Sequence, residues 1–442
     1  MSLKIGTIGI IADDLTGAND TALQFLLRGC NTQILLDTEN IPEGCHNTIA
    51  WAINTESRSL KPQEAAKSVE KAAKALYKKL NVDFIYKKID STMRGNIAAE
   101  TLALLESNDL DAAIIVPTLP DEGRITVGGY HLLKGVPLER TEFARDPDSP
   151  ISQSYIPSLL SNQCEDPKVI AHIGLKKVMR GAGPILMELQ EHIKQDKKLI
   201  VIDAVSMIDL EQIVLAMEKG LAHYKILPCG SAGLARALTK SWLPDGKYQN
   251  ILKTTPEGPT LVVIGSVTSI TRSQVKLLQD YTQDFNMNFI DLTPEQLVHG
   301  MDPNLLTSII NDLKIGKSIV ICSAPDENSV QDTIELAENN NINKSNVSQL
   351  VLDCLATLTQ KIVDQVHVKL VLVGGETAST CCRAIKSMHL QLIDEVDNAI
   401  PLCLDQKAQF IITKSGNLGT PKTLVNVVNY FKNFDESCTS IE

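Results

Sequence analysis

Two aspartates at the end of an apolar run are the first residues of this chain whose types and spacing suggest chemistry. Ile8 to Ala12 form the run, and Asp13, Asp14, Leu15, Thr16, Gly17, Ala18, Asn19, Asp20 and Thr21 follow it directly. A short apolar run bounded by turn residues predicts a buried strand, and the spacing of Ala22, Leu23, Phe25 and Leu26 predicts a helix after it. Asp13 and Asp14 then stand at the carboxyl end of a first strand, the edge where open α/β sheets hold ligands. On this reading the acidic pair is not a folding device. The plain alternative, a helix cap by Thr16 or Asp20 with the aspartates solvated, accounts for less of the string.

A second constellation follows the strand-like segment Phe84 to Tyr86. Lys87, Lys88, Ile89, Asp90, Ser91, Thr92, Met93, Arg94, Gly95 and Asn96 place a carboxylate, two hydroxyls, an amide and three cations within ten residues. Such a set suits a small, anionic, polyhydroxylated molecule: Arg94 can pair bidentately with a carboxylate, while Asp90 and Asn96 can fix hydroxyls. Arg58, after another predicted strand, adds a cation. The competing reading is a helix capped by Ser91 or Thr92 with Arg94 in solvent.

In the second half, Leu370 to Val373 lead into Gly374, Gly375, Glu376 and Thr377, and a helical pattern runs from Ala378 to Ile385. Two glycines after a strand admit close backbone approach, and the amides at a helix start favour phosphate. Gly265 to Ser269 and Lys414 to Gly419 repeat the theme after two other predicted strands, so three small polar loops form one rim suited to a nucleotide. Near misses are instructive. Ile315 to Ser318 resembles the tail of a P-loop, but Asn311 fills the first-glycine position and the segment precedes a strand. Gly181 to Pro184 and Gly230 to Gly233 lack the dinucleotide spacing. The eight histidines show no metal spacing, so no metal site is expected, and His131 reads as structural.

These residues need strands to carry them. Apolar runs at Ile34 to Asp37, Thr48 to Ile53, Phe84 to Ile89, Ala112 to Val116, Leu199 to Ile202 and Lys225 to Pro228 alternate with helical patterns. A second series comprises Leu261 to Gly265, Ser318 to Cys322, Leu370 to Val373 and Phe410 to Thr413. Continuous apolar runs suit strands buried on both faces. The expectation is an α/β protein of two domains with largely parallel sheets, 1–240 and 260–442, joined by a Pro- and Gly-rich linker at 241–259, with the active site in the interdomain cleft. Residues 121–150 read as a long functional loop.

Composition narrows the class. A 442-residue chain with 43% hydrophobic and 21% charged residues is large enough for two cores. Its net charge of −11 argues against nucleic-acid binding, since phosphate neutralisation needs clustered Lys and Arg. The ten cysteines form no CxxC pair, as in free-thiol usage in a reducing compartment. Neither a secretory leader nor a membrane span is read, so a cytoplasmic protein with a small-molecule partner is expected.

The motifs IADDLTGANDT at 11–21, KKIDSTMRGN at 87–96, GRITVGGYHLLKGVPLERTEFARDP at 123–147, CGSAGLA at 229–235, GGET at 374–377 and KSGNLG at 414–419 resemble the four-carbon acid sugar kinases nearly end to end. The form of the first motif is closest to the D-threonate kinase branch. The resemblance implies an N-terminal domain for the acid sugar, a C-terminal domain for ATP with Mg2+, and transfer of the γ-phosphoryl group to the 4-hydroxyl of a tetronic acid. Carried over by motif, Asp13, Asp14, Arg58, Lys88, Asp90, Ser91, Thr92, Met93 and Arg94 would meet the sugar acid. Ser266, Gly374, Gly375, Glu376, Thr377 and Gly416 would meet the nucleotide. Asp14 or Asp90 would serve as base, and Arg94 or Arg58 would hold the substrate carboxylate. Threonate or erythronate is the expected substrate, and a homodimer is the default assembly. The alternatives are a 3-oxo-tetronate 4-kinase, a dehydrogenase or isomerase using the glycines near Gly230, and a non-catalytic nucleotide or sugar-acid sensor.

Overall fold

The strand read first in the sequence, β1 (Ile8–Ala12), is buried along its whole length. The computed structural model describes residues 6–39, 41–42, 48–146, 149–243 and 256–439. Among them the chain divides into two units, Met1–Gln249 and Asn250–Glu442. The linker read at 241–259 lies largely outside the described residues.

In the first unit β1 is followed by β2 (Thr32–Leu35), β3 (Ala50–Asn54), β4 (Phe84–Lys88), β5 (Ala112–Val116), β6 (Arg124–Val127), β7 (Tyr130–Leu133), β8 (Val136–Pro137), β9 (Ile170–Ile173), β10 (Leu199–Ile202) and β11 (Ile226–Gly230). The sheet order is β2-β3-β1-β4-β11-β5-β10-β9, and every pairing in it is parallel. Parallel strands covered on both faces must be apolar throughout, which is why Ile10, Ile11, Ile114, Ile115, Ile200 and Val201 are fully buried. The chain runs from β1 outward to one side, returns, and continues with β4 on the other side. Open sheets place ligands at such a reversal. Ala12, Asn54 and Lys88 stand level across the three central strands, so the turns after them emerge side by side.

Residues 121–150, expected as an irregular loop, instead hold the small antiparallel sheet β6-β7-β8. Its strands are too short, and its glycine turns too frequent, to leave a periodic signal.

The second unit contains β12 (Thr260–Ile264), β13 (Met287–Asp291), β14 (Ser318–Cys322), β15 (Lys369–Val373), β16 (His389–Asp397), β17 (Ile400–Asp405) and β18 (Phe410–Lys414), in the order β13-β14-β12-β15-β18-β17-β16. Its pairings are parallel except those of β17 with β16 and β18. Here the reversal falls between β12 and β15, the strands that precede Gly265 and Gly374. No helix among the described residues is long and apolar enough to cross a membrane.

Candidate active site

Asp14 lies two residues beyond β1 and immediately precedes the helix Leu15–Leu26. Its extended backbone (φ −145°, ψ 161°) makes it the cap, and its Oδ1 accepts from the Gly17 amide at 2.8 Å. The acidic pair is therefore partly a folding device, contrary to the sequence reading. Gly17 also leaves room for Lys88: a Cβ there would stand 2.8 Å from Lys88 Nζ, whose ammonium lies against this first helical turn.

The loop after β3 is tied to β1 by the Thr55 amide and hydroxyl, which donate to Ala12 O at 2.9 and 2.8 Å, and by the Ser57 amide, which donates to Asp13 O at 3.0 Å. This fixes Arg58 between the carboxylates. Its Nε donates to Asp13 Oδ2 at 2.8 Å and its Nη2 to Asp13 Oδ1 at 3.2 Å; Nη1 lies 2.8 Å from Asp14 Oδ2, and Nη2 3.7 Å from Asp90 Oδ1. Burial would raise the Asp13 carboxyl, but Arg58, Lys87 and Lys88 together hold it below its ordinary value.

After β4, Asp90 organises a turn. Its Oδ2 accepts from the Thr92 hydroxyl, from Arg94 Nε at 2.8 Å, and from the Thr92 and Arg94 amides at 3.3 Å each, while Oδ1 accepts from Arg94 Nη2 at 3.2 Å. Burial opposes its charge, yet Arg94 and Arg58 hold Asp90 well below the usual carboxylate range. Met93 takes φ +66° in this turn, an uncommon backbone for a bulky residue, and its side chain lies in the hydrophobic core. Only its backbone can face a ligand. Asn96, assigned above to hydroxyl binding, instead donates to Ser57 O at 3.0 Å and Leu60 O at 2.8 Å, joining this turn to the Arg58 loop.

The small sheet and the segment after it complete the site with Arg124, Phe143 and Asp146, to which the sequence reading gave no role, and with His131, which it read as structural. Arg124 Nη1 donates to Ser91 Oγ at 2.6 Å. Asp146 accepts from Arg94 Nη1 at 2.9 Å, and Arg94 lies over the Phe143 ring at 5.0 Å. His131 Nε2 donates to Ser91 O at 2.8 Å while Nδ1 faces Thr126 Oγ1 at 2.9 Å. Burial pushes this histidine down to about 4, so it is a neutral brace for the Ser91 turn. All lie within or beside the 123–147 motif, but sequence separation concealed their partners.

Asp20 and Lys88 differ from these paired groups. Among the described residues neither has an ion pair, although Lys88 is only 4% exposed. Burial pushes Asp20 up to about 6 in spite of the attraction of Lys88, Arg124 and Arg236, and Glu122 adds to the rise. A cavity of about 230 Å³ borders Arg58, Met93, Gly95 and Asn96, but Asp14, Asp90 and Lys88 do not line it. The hollow is lined mainly by polar side chains, Ser59, Ser149, Gln153 and Gln163 among them, and of the paired groups only Arg58 reaches it.

In the second unit three loops converge. A Cβ on Gly416 would stand 2.2 Å from Ser266 Oγ, one on Gly265 2.2 Å from Thr377 Oγ1, and one on Gly374 2.7 Å from Thr377 Oγ1. Thr268 and Thr271 hydroxyls donate to Gly416 O at 2.8 and 2.9 Å. The helix Gly375–Ala384 begins at Gly374 (φ +123°) with no side chain capping it, which leaves its positive end to a ligand. Glu376 is exposed in its first turn. Beside Ser266 lies a cavity of about 390 Å³ lined also by Thr271, Arg272, Lys276, Asp291 and Cys322. Lys414 is buried, donates Nζ to Ser415 O at 2.7 Å, and is pushed by burial down to about 7. The weak glycine motif near Gly230 has a packing cause: Cβ atoms at Gly230 and Gly233 would stand 2.6 and 2.5 Å from the Val116 and Thr118 carbonyl oxygens.

Comparison with known proteins follows the same division. Residues 8–238 match the model of a sugar-binding N-terminal domain, and residues 261–424 that of a nucleotide-binding C-terminal domain. A D-threonate kinase of Salmonella typhimurium is 29% identical over 432 residues, covering 96% of this chain and 98% of its own. A D-erythronate kinase of Heliobacterium modesticaldum is 28% identical over 440 residues, covering 96% and 97%. A crystal structure of a Salmonella typhimurium protein superposes with a TM-score of 0.77 at 20% identity, covering 95% of this chain and 98% of that one, a likeness of fold alone.

Proposed function

Because this chain belongs to the four-carbon acid sugar kinase family, we propose that it transfers the γ-phosphoryl group of ATP to the terminal 4-hydroxyl of a four-carbon sugar acid, threonate or erythronate. One observation carries the reading. Each unit presents ligand-type turns at the reversal of its sheet, charged and hydroxylic in the sugar-binding domain, glycine-rich and open at a helix start in the nucleotide-binding domain.

Phosphoryl transfer asks the protein mainly for positioning and charge stabilisation. Arg58 and Arg94 each spend three nitrogens on aspartates, yet a guanidinium has five N–H donors, so both retain donors for a substrate carboxylate. Lys88 adds an ammonium with no ion pair among the described residues. Ser91, oriented by Arg124 and His131, and the Asp14 oxygens offer partners for sugar hydroxyls. In the second unit the amides at Gly375 and the close glycines suit the phosphates, and the cavity beside Ser266 suits the nucleoside.

Magnesium bound to the nucleotide would neutralise phosphate charge during transfer. The first unit's paired aspartates do not suit it, because their oxygens are already engaged by cations and amides. Among the described residues no group of three or more His, Cys, Asp or Glu is disposed to hold a metal. The described cysteines are all free thiols, in keeping with a cytoplasmic enzyme.

Identity does not choose the stereoisomer, since relatives named for threonate and erythronate match almost equally, at 29% and 28%. Phosphorus NMR of the product tests the site of transfer: a phosphomonoester coupled to the C4 methylene protons is expected. An ester on C2 or C3, or inorganic phosphate alone, would contradict it.

A further inference from the structure

Resting on the kinase reading, we infer that Asp20, not Asp14 or Asp90, is the catalytic base that takes the proton from the acceptor hydroxyl. Commitment of the other carboxylates is the first ground. Both Asp13 oxygens accept from Arg58; Asp14 gives Oδ1 to the Gly17 amide and Oδ2 to Arg58; both Asp90 oxygens accept from Arg94; Asp146 gives Oδ2 to Arg94 and Oδ1 to the Ser149 amide. Arg58 with the two lysines holds Asp13, and Arg94 with Arg58 holds Asp90, below the ordinary carboxylate value, which makes both weak bases, and protonating any of the four would break the contacts that frame the substrate.

Position is the second ground. Asp20 lies three residues beyond Gly17 on the same helix, hence beside it on the helix surface, and Lys88 Nζ lies against Gly17. Across from it stands Arg124, which holds the Ser91 hydroxyl. The charged groups facing Asp20 are Lys88 on β4, Arg124 on β6, Arg236 on the helix Ala232–Trp242, and Glu122 before β6. Arg236 is turned to Gln24 Oε1 at 3.1 Å and to Asp121. Among the described residues the Asp20 carboxylate oxygens are thus left without a partner, amid cations that can hold an anionic substrate, and its raised value of about 6 leaves it ionised yet basic near neutrality.

The step balances without a further reactant. The acceptor oxygen forms the new bond to the γ-phosphorus as its proton passes to the Asp20 carboxylate; the bond from that phosphorus to the β,γ-bridging oxygen breaks, and its electron pair leaves with ADP. Asp20 then returns the proton to solvent.

The test compares Asp20→Asn with Asp90→Asn in the full chain, using ATP and whichever acid the wild type turns over. For Asp20→Asn, kcat is expected to fall by about 10²–10⁴-fold with the sugar KM within a few-fold, and the acidic limb of the kcat/KM profile near pH 6 to disappear. Unchanged ATP binding by calorimetry shows that the variant is folded. Asp90→Asn is expected to keep the limb. Turnover by Asp20→Asn within a few-fold of wild type, or an acidic limb retained there and lost in Asp90→Asn, would overturn the inference. A wild type silent toward every acid would instead overturn the kinase reading itself, so the two failures are distinct.

Discussion

Arg94 grips Asp90 with two nitrogens, Nε at 2.8 Å and Nη2 at 3.2 Å, and extends its third to Asp146 at 2.9 Å. The guanidinium thus joins the turn after a central strand to the segment that follows the small antiparallel sheet, and its remaining donors are fixed in direction before any substrate arrives.

Arg94→Ala should raise the sugar-acid KM by about one to two orders of magnitude, the equivalent of roughly 2 to 3 kcal/mol for a lost charged hydrogen-bond pair. Arg94→Lys should recover little of it, because an ammonium cannot reproduce the fork. Steady-state kinetics decide; an unchanged KM would remove Arg94 from substrate binding.

Beneath the site, Lys87 Nζ and Glu100 Oε2 form a buried ion pair at 2.7 Å, their side chains 0% and 2% exposed, and Lys87 also donates to Lys88 O at 2.8 Å. Glu100→Ala leaves an uncompensated ammonium under β4 and should cost about 3 to 5 kcal/mol of stability. Urea denaturation followed by circular dichroism measures it. A loss below 1 kcal/mol would show that the pair does not brace the strand.

Gly416→Ala should weaken ATP binding roughly tenfold or more, about 1.4 kcal/mol, since its Cβ must displace Ser266 Oγ from 2.2 Å away. Sugar-acid binding should not change. Calorimetry with each ligand separates the two, and equal ATP affinity would take this loop out of the nucleotide site.

Lys414 supplies a pH test. Its folded value, pushed down by burial to about 7, lies below the unfolded 10.5, so between these pH values the unfolded chain binds the extra proton. Stability must therefore rise with pH across that window, and Lys414→Met should abolish that rise. Denaturation of both proteins at several pH values measures it; parallel curves would contradict the depressed value.

Much of this architecture was legible because parallel strands buried on both faces read as unbroken apolar runs. Ile8 to Ala12, Ala112 to Val116, Leu199 to Ile202 and Ser318 to Cys322 carry the limits read from sequence. Strands β16 and β17 were not, since Gln391, Asp394 and Glu395 interrupt the apolar residues of β16 and Pro401 weakens the strand signal of β17. In the site, residue types near strand ends disclosed Asp13, Asp14, Asp90 and Arg94. Which carboxylate pairs with which cation depends on tertiary contacts: Arg58 meets Asp13 across 45 residues and Arg94 meets Asp146 across 52. Asp20 stood in the first motif, yet only the commitment of its neighbours distinguishes it.

The most direct test of the central claim is a coupled ADP-release assay of the full chain with Mg-ATP against D- and L-threonate, D- and L-erythronate and 3-oxo-tetronates, with water as blank. Release well above the blank with a threonate or erythronate is expected, and the preferred acid names the substrate. No release above the blank with any acid, by protein that still binds ATP, would contradict the kinase assignment.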